Sequence, residues 1–258
     1  MKRGRAPAEK AAGSPEAQVE QIKPLLALAR ELLVLRDGKS REDLWLWEHT
    51  VRVTRLARML ARLPEIGDER PDELVVTVAA LFHEAGWAIH HRDGQIGPWQ
   101  ILSRPTSDLQ RDLAAVALHE RAGTLLAPEA LRMAAETIRQ CNDRRTALPE
   151  AIVLSDATNL DEVGLLSVLR QFRQHQAEGR PLEQLLRTWN RQLEYRYWEA
   201  RVNECLRLET ARRIARERLK GVEQFMATLA RDREAADLAK HLKQAGLELP
   251  LELPLGEW

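Results

Sequence analysis

From Gln18 onward, apolar residues recur at intervals of three and four almost everywhere, the spacing of helices that bury one face. Ile22, Leu25, Leu26, Ala29, Leu32 and Leu33 make the first such stripe. A second helix is predicted over about 42–63, with Leu46, Val53, Leu56, Ala57 and Leu60 inward and arginines outward. The turn Asp37-Gly38-Lys39-Ser40 precedes it and Pro64 follows it. A third helix is predicted from Pro71, suited to a first helical turn, to about Ala85, stopping at Gly86. Residues 86–106 break the rhythm with glycines at 86, 94 and 97 and prolines at 98 and 105, which predicts a loop carrying His90-His91. Helical spacing resumes over about 107–126, 128–140, 149–160 and 162–176. After Gly179-Arg180-Pro181 it runs to about Arg231, with a break expected near Glu209-Thr210. No alternating run predicts a strand, so the expected fold class is all-α.

The same pattern divides the chain. Residues 1–16, basic and rich in Ala, Gly and Pro, are expected to be a disordered tail. Residues 17–180 are expected to form a helical core, 181–246 a helical arm packed on it, and 247–258, with its Leu-Glu-Leu-Pro repeat, an extended tail. The 39 basic and 39 acidic residues cancel, which removes a global field for nucleic acid or an anionic membrane. No run approaches the ~18 apolar residues of a membrane span. Two cysteines are too few for a disulfide framework and fit a reducing compartment. A cytoplasmic protein is expected.

Candidate chemistry then stands out against this helical background. His49 lies inside the second helix, His83-Glu84 at the end of the apolar third, and Asp156 after the apolar run Ala151–Leu154. Adjacent helical residues point about 100° apart. A His-acid pair therefore meets one ion only from its rim, and neighbouring helices must supply the other ligands. Two imidazoles and two carboxylates with open positions suit Mn, Fe, Co, Zn or Mg better than a closed structural zinc site. Taken singly, each of these residues has a plainer reading as a core histidine or a helix-end acid.

Taken together, they resemble the HD-domain superfamily of metal-dependent phosphohydrolases, whose signature is His…His-Asp…Asp on helices. Ala79-Ala80-Leu81-Phe82-His83-Glu84-Ala85-Gly86 is similar to that family's AALLHDIG helix. Pro149 to Gly164 is similar to a PEA…DADRLDALG segment, and Thr210 to Met226 to a helical arm of one branch. The resemblance covers roughly residues 40–235. It implies an HD-type helical bundle with a long C-terminal arm and a metal site of His49, His83, Glu84 and Asp156. The ion would be Mn, Fe, Co, Zn, Ni or Mg. Glu84 and His119 are the implied catalytic candidates, His119 for proton donation or phosphate contact. The implied substrate is a small phosphomonoester or a nucleotide, and an oligomer is compatible with the arm.

Three departures from the pattern bear on activity. Glutamate replaces aspartate at position 84, adding a methylene. A gapless match sets Thr158 on the segment's second aspartate, so either Asp156 or Thr158 holds the last ligand position. Cys141 or Asn142 stands where the branch carries a further histidine. These departures motivate an alternative, a degenerate HD domain that binds a ligand or partner without catalysis.

Overall fold

The computed structural model describes residues 15–37, 41–67 and 70–250. The expected tail at 1–16 therefore falls almost wholly outside the described residues, as do most of the 37–40 turn and the end of the 247–258 tail. Pro15 and Glu16 already belong to the first helix, and 247–250 have no regular structure.

Twelve helices carry the described chain. They are α1 (Pro15–Leu33), α2 (Trp45–Leu60), α3 (Glu73–Phe82), α4 (Ala85–Arg92), α5 (Asp108–Ala122) and α6 (Pro128–Gln140). They continue as α7 (Pro149–Asp161), α8 (Leu165–Ala177), α9 (Leu182–Glu194), α10 (Tyr197–Cys205), α11 (Glu209–Arg233) and α12 (Ala236–Gln244). The all-α class holds, with one addition: β1 (Leu35–Asp37) and β2 (Arg41–Asp43) pair antiparallel as a short hairpin. Strands of three residues are too short to show an alternating pattern.

The centre of the core is α3. Eight consecutive residues, Val75 to Phe82, are buried, because α3 is packed by α1, α2, α6 and α7 at once. Its N-terminus is fixed by Asp72, whose carboxylate accepts from the amides of Leu74 and Val75. The predicted loop at 86–106 is a correction over its first part. Helix α4 runs through Gly86 to Arg92 and contains His90 and His91 in its last turn. Gly86 serves as a contact rather than a stop: a Cβ there would stand 2.1 Å from the carbonyl oxygen of Gln110 on α5. Glycine lets the two helices touch backbone to backbone, and Trp87 beside it is fully buried.

The long C-terminal stretch is also divided more finely than its spacing predicts. Arg196 and Ala235 take left-handed conformations, at φ 51° and 48°, and interrupt the helix on either side of α10 and α11. The expected break near Glu209-Thr210 falls at Leu206–Leu208, immediately before α11. Helix α11 packs on α7, α8 and α9. No helix among the described residues is long and apolar enough to cross a membrane.

Candidate metal centre

Three of the residues singled out in the sequence meet in the core. His49 comes from the middle of α2, His83 from the end of α3, and Glu84 from the junction before α4. Among the described residues they are the one group of three His, Cys, Asp or Glu side chains whose ligand atoms all lie within 4.8 Å of one another. All three are at most 3% exposed, so solvent cannot satisfy them. Glu84 has left the helical conformation, at φ −104° and ψ 12°. That break lets two adjacent residues, which a continuous helix would splay apart, converge on one point.

The outward nitrogen of each imidazole is already engaged. His49 Nδ1 sits 2.7 Å from Asp161 Oδ2, and His83 Nδ1 sits 2.7 Å from the carbonyl oxygen of Ala80. A backbone carbonyl only accepts, so His83 Nδ1 carries the hydrogen. Burial pushes the His83 pKa down to about 3, so its ring is neutral and Nε2 is a bare lone pair. Asp161 is an ionised acceptor. Burial opposes its charge, but hydrogen bonds from His49 and from the Arg52 guanidinium outweigh that and hold it below the usual carboxylate range. His49 Nδ1 therefore donates as well, leaving its Nε2 to face inward.

The two Nε2 atoms approach Glu84 Oε1 at 3.9 Å from His49 and 3.5 Å from His83. Both distances exceed a hydrogen bond, and neither Nε2 has a hydrogen-bond partner. Ligands held at ~2.0–2.2 Å from a common ion stand roughly 3.0–3.5 Å from one another. The donor set and its spacing thus fit a divalent ion, and two imidazoles with one carboxylate suit Mn, Fe, Co, Ni or Zn better than Mg. Glu84 is held in turn by Thr106 Oγ1, which donates to its carboxylate at 3.0–3.1 Å and accepts from the Trp87 indole at 3.0 Å. Burial raises the Glu84 carboxyl to about 8, against the Thr106 hydrogen bond, so its proton departs when a cation arrives.

Asp156 is not brought to this group. It is fully buried on α7, and its carboxylate accepts from Arg207 N at 2.9 and 3.1 Å and Leu208 N at 2.7 Å. It ties down the amides ahead of α11, a task Glu65 shares at Glu209 and Thr210. Burial lifts its carboxyl to about 6, and the backbone hydrogen bonds and Arg207 offset only part of that. Thr158, the other residue weighed for the last position, lines the cavity that His83 and Glu84 also line, and its hydroxyl donates to Leu154 O at 3.0 Å. Asp161 is the aspartate of α7 that reaches His49. Its signal was its place as the third acidic position in the segment similar to DADRLDALG.

His119 does not join the group either. Helix α5 turns Ala114, Ala115, Leu118 and Ala122 inward, and His119 is left exposed in the last turn. His91 borders a different hollow, between α1 and α4, with Nδ1 against Ile96 O. His175 is buried in α8.

An all-helical fold with a buried group of two histidines and a carboxylate is the class defined so far. Residues 46–162 match the family model of the HD domain. Its fold is similar to that of Bacillus subtilis YpgQ, with a TM-score of 0.56 at 20% identity over 84% of this chain and 97% of that one. It is also similar to a predicted HD superfamily hydrolase from an uncultured Thermotogales bacterium, with a TM-score of 0.51 at 19% identity over 82% and 92%. A third similar structure is YpgQ in complex with ADP, with a TM-score of 0.51 at 20% identity over 81% and 97%. No protein of curated function matches the sequence.

Proposed function

We propose that this protein is a metal-dependent phosphohydrolase acting on a phosphate monoester or nucleotide, in the cytoplasm. The observation that carries the proposal is the pair of buried, unpartnered Nε2 atoms converging on Glu84. A core that leaves two buried imidazole nitrogens without a partner pays several kcal/mol in lost hydrogen bonding. Binding of a cation by His49, His83 and Glu84 would remove that penalty. A divalent ion, when bound, supplies Lewis acidity toward a phosphoryl oxygen and acidifies water enough for attack at neutral pH. Asp161 and the Ala80 carbonyl fix the tautomer and direction of the two rings, and Thr106 with Trp87 fixes the carboxylate. The open cavity lined by His83 and Glu84 would give the phosphoryl group its place. The ADP complex of YpgQ supports including nucleotides among the substrates tested.

The test is phosphate release from a panel of monoesters and nucleotides, before and after chelation and with Mn²⁺ restored. Release that vanishes on chelation and returns with the ion is expected. Release that survives removal of the ion would overturn the mechanism. The Asp161 contact gives a graded check. Asp161→Asn is expected to weaken Mn²⁺ binding by roughly 10–100-fold, the usual cost of disturbing the outer partner of a metal-facing histidine. Isothermal titration reads this directly, and unchanged affinity would show that Asp161 has no part in orienting His49.

A second reading is favoured by Thr158, which stands at the cavity wall without a carboxylate. Under it, the domain binds an ion and a ligand but performs no hydrolysis. Stoichiometric ion binding with no phosphate released from any ester would select it.

A further inference from the structure

The cavity next to the candidate metal centre has a composition that the centre itself does not require. It measures about 210 Å³ and is lined by residues of α5, α7 and α10 and of the segments that follow α3 and α6. Three arginines, Arg111, Arg144 and Arg201, line it, against two acids, Glu84 and Glu162. Arg201 and Arg170 both pair with Glu162, so that acid's charge is already shared.

Arg111 is the unusual member. It is only 8% exposed, yet its one carboxylate partner, Asp108, lies out in solvent. One of its terminal nitrogens donates to the Thr106 carbonyl at 2.6 Å, while Nε is buried with no partner at all. Arg201, on α10, also has a buried Nε without a partner. A guanidinium taken out of water is costly unless an anion meets it. Arg111 meets its carboxylate only at the solvent edge, Arg201 shares Glu162 with Arg170, and each lines the cavity with an Nε left unpartnered. Arginine is also the side chain whose planar fork matches phosphate oxygens.

Size and surface then limit what that anion belongs to. Pockets for drug-sized ligands run roughly 300–1,000 Å³ and are lined mainly by apolar and aromatic groups. This cavity is smaller, and no Trp, Tyr or Phe borders it to stack a base. Its wall is instead built from Thr106, Asn142, Ser155, Thr158 and Asn159, all short hydrogen-bonding residues suited to hydroxyl groups.

We infer that the cavity is an anion subsite in which Arg111, aided by Arg201, holds the phosphate of a small hydroxylated monoester, and that it discriminates against nucleotides. The inference rests on the hydrolase reading for its place beside the ion but makes its own demand on binding. Inorganic phosphate, glycerol 3-phosphate and ADP are titrated calorimetrically into the full chain, with and without Mn²⁺. Ion content is measured on the same samples. Glycerol 3-phosphate is expected to bind at one site per chain and at least about tenfold more tightly than ADP, a difference of ~1.4 kcal/mol. Arg111→Met, which preserves bulk, is expected to weaken phosphate and glycerol 3-phosphate by at least about tenfold. Arg111→Lys should recover part of that loss, and Mn²⁺ stoichiometry should stay at wild-type level in both variants.

Tighter binding of ADP than of glycerol 3-phosphate overturns the inference, and that comparison needs no variant. Unchanged phosphate affinity in a folded Arg111→Met protein overturns it equally. Phosphate bound through Arg111 by a protein that takes up no ion would keep the anion subsite and remove the hydrolase. Ion uptake with phosphate indifferent to Arg111 would do the reverse.

Discussion

His83→Ala is expected to abolish divalent-ion binding while leaving the protein folded. The substitution removes one of three converging donors, so the loss should exceed the roughly 10–100-fold that follows from disturbing an outer partner. Its structural cost is limited by two opposing changes. The Ala80 carbonyl loses its partner, at about 0.5–1.5 kcal/mol for a typical hydrogen bond. Against that, a buried Nε2 that has no partner is removed, relieving about 1–3 kcal/mol of desolvation. The void left by the ring adds some cost, but the terms are of similar size and unfolding is not expected. Thermal melting should show a cooperative transition for the variant. Titration with Mn²⁺ should then show no uptake in the range where the wild type saturates. Wild-type affinity in His83→Ala would remove this histidine from the centre.

The second large effect belongs to Asp156 and is one of stability, not of ion binding. Asp156→Ala orphans the amides of Arg207 and Leu208 where the chain turns into α11. The Leu208 amide is the buried one, and a buried unpaired donor costs about 1–3 kcal/mol, against a total stability of roughly 5–15 kcal/mol for a domain. The arm formed by α11 should loosen first. Asp156→Asn keeps one accepting oxygen and should recover much of the loss. The pH dependence carries a sign that separates the two states of this carboxyl. Burial raises its folded pKa to about 6 from an ordinary 3.8. Its contribution is therefore fully present below about pH 4 and is lost as the pH rises through about 6. Asp156→Asn should flatten that part of the stability curve in denaturant titrations. Both variants, where folded, should bind Mn²⁺ as the wild type does. A fully stable Asp156→Ala protein that has lost the ion would instead make Asp156 a ligand.

The contrast between Asp156 and Asp161 shows where the sequence stops being legible. Both lie on one helix, five residues apart, about 140° around its axis. Apolar spacing shows that α7 is buried on several sides but not which side faces α2. What claims Asp156 is the interruption at Leu206–Leu208, a break the sequence signalled within a few residues without showing which acid would meet its amides. His49 and His83-Glu84 were legible because each sits on a strongly patterned helix in a recognisable order. Their convergence depends on the break at Glu84, which the pattern blurred by extending the third helix to residue 85. The glycine at 86 misled in the same region. It was weighed as a helix stop, whereas its role is the close approach to Gln110. His119 was attractive as one more histidine, yet the stripe of Ala114, Leu118 and Ala122 turns it to solvent. Arg111 and Thr106 escaped notice because neither residue type is conspicuous alone. Burial and an unpartnered guanidinium nitrogen mark the first, and contact with Glu84 marks the second.

The central claim is that the two inward nitrogens and Glu84 share one cation. Anomalous diffraction from crystals grown with Mn²⁺ tests it most directly. A single strong peak is expected about 2.0–2.3 Å from His49 Nε2, His83 Nε2 and a Glu84 carboxylate oxygen, with Asp156 still on the amides of Arg207 and Leu208. A saturated crystal with its manganese elsewhere, and both Nε2 atoms still without a partner beside Glu84, would contradict the account.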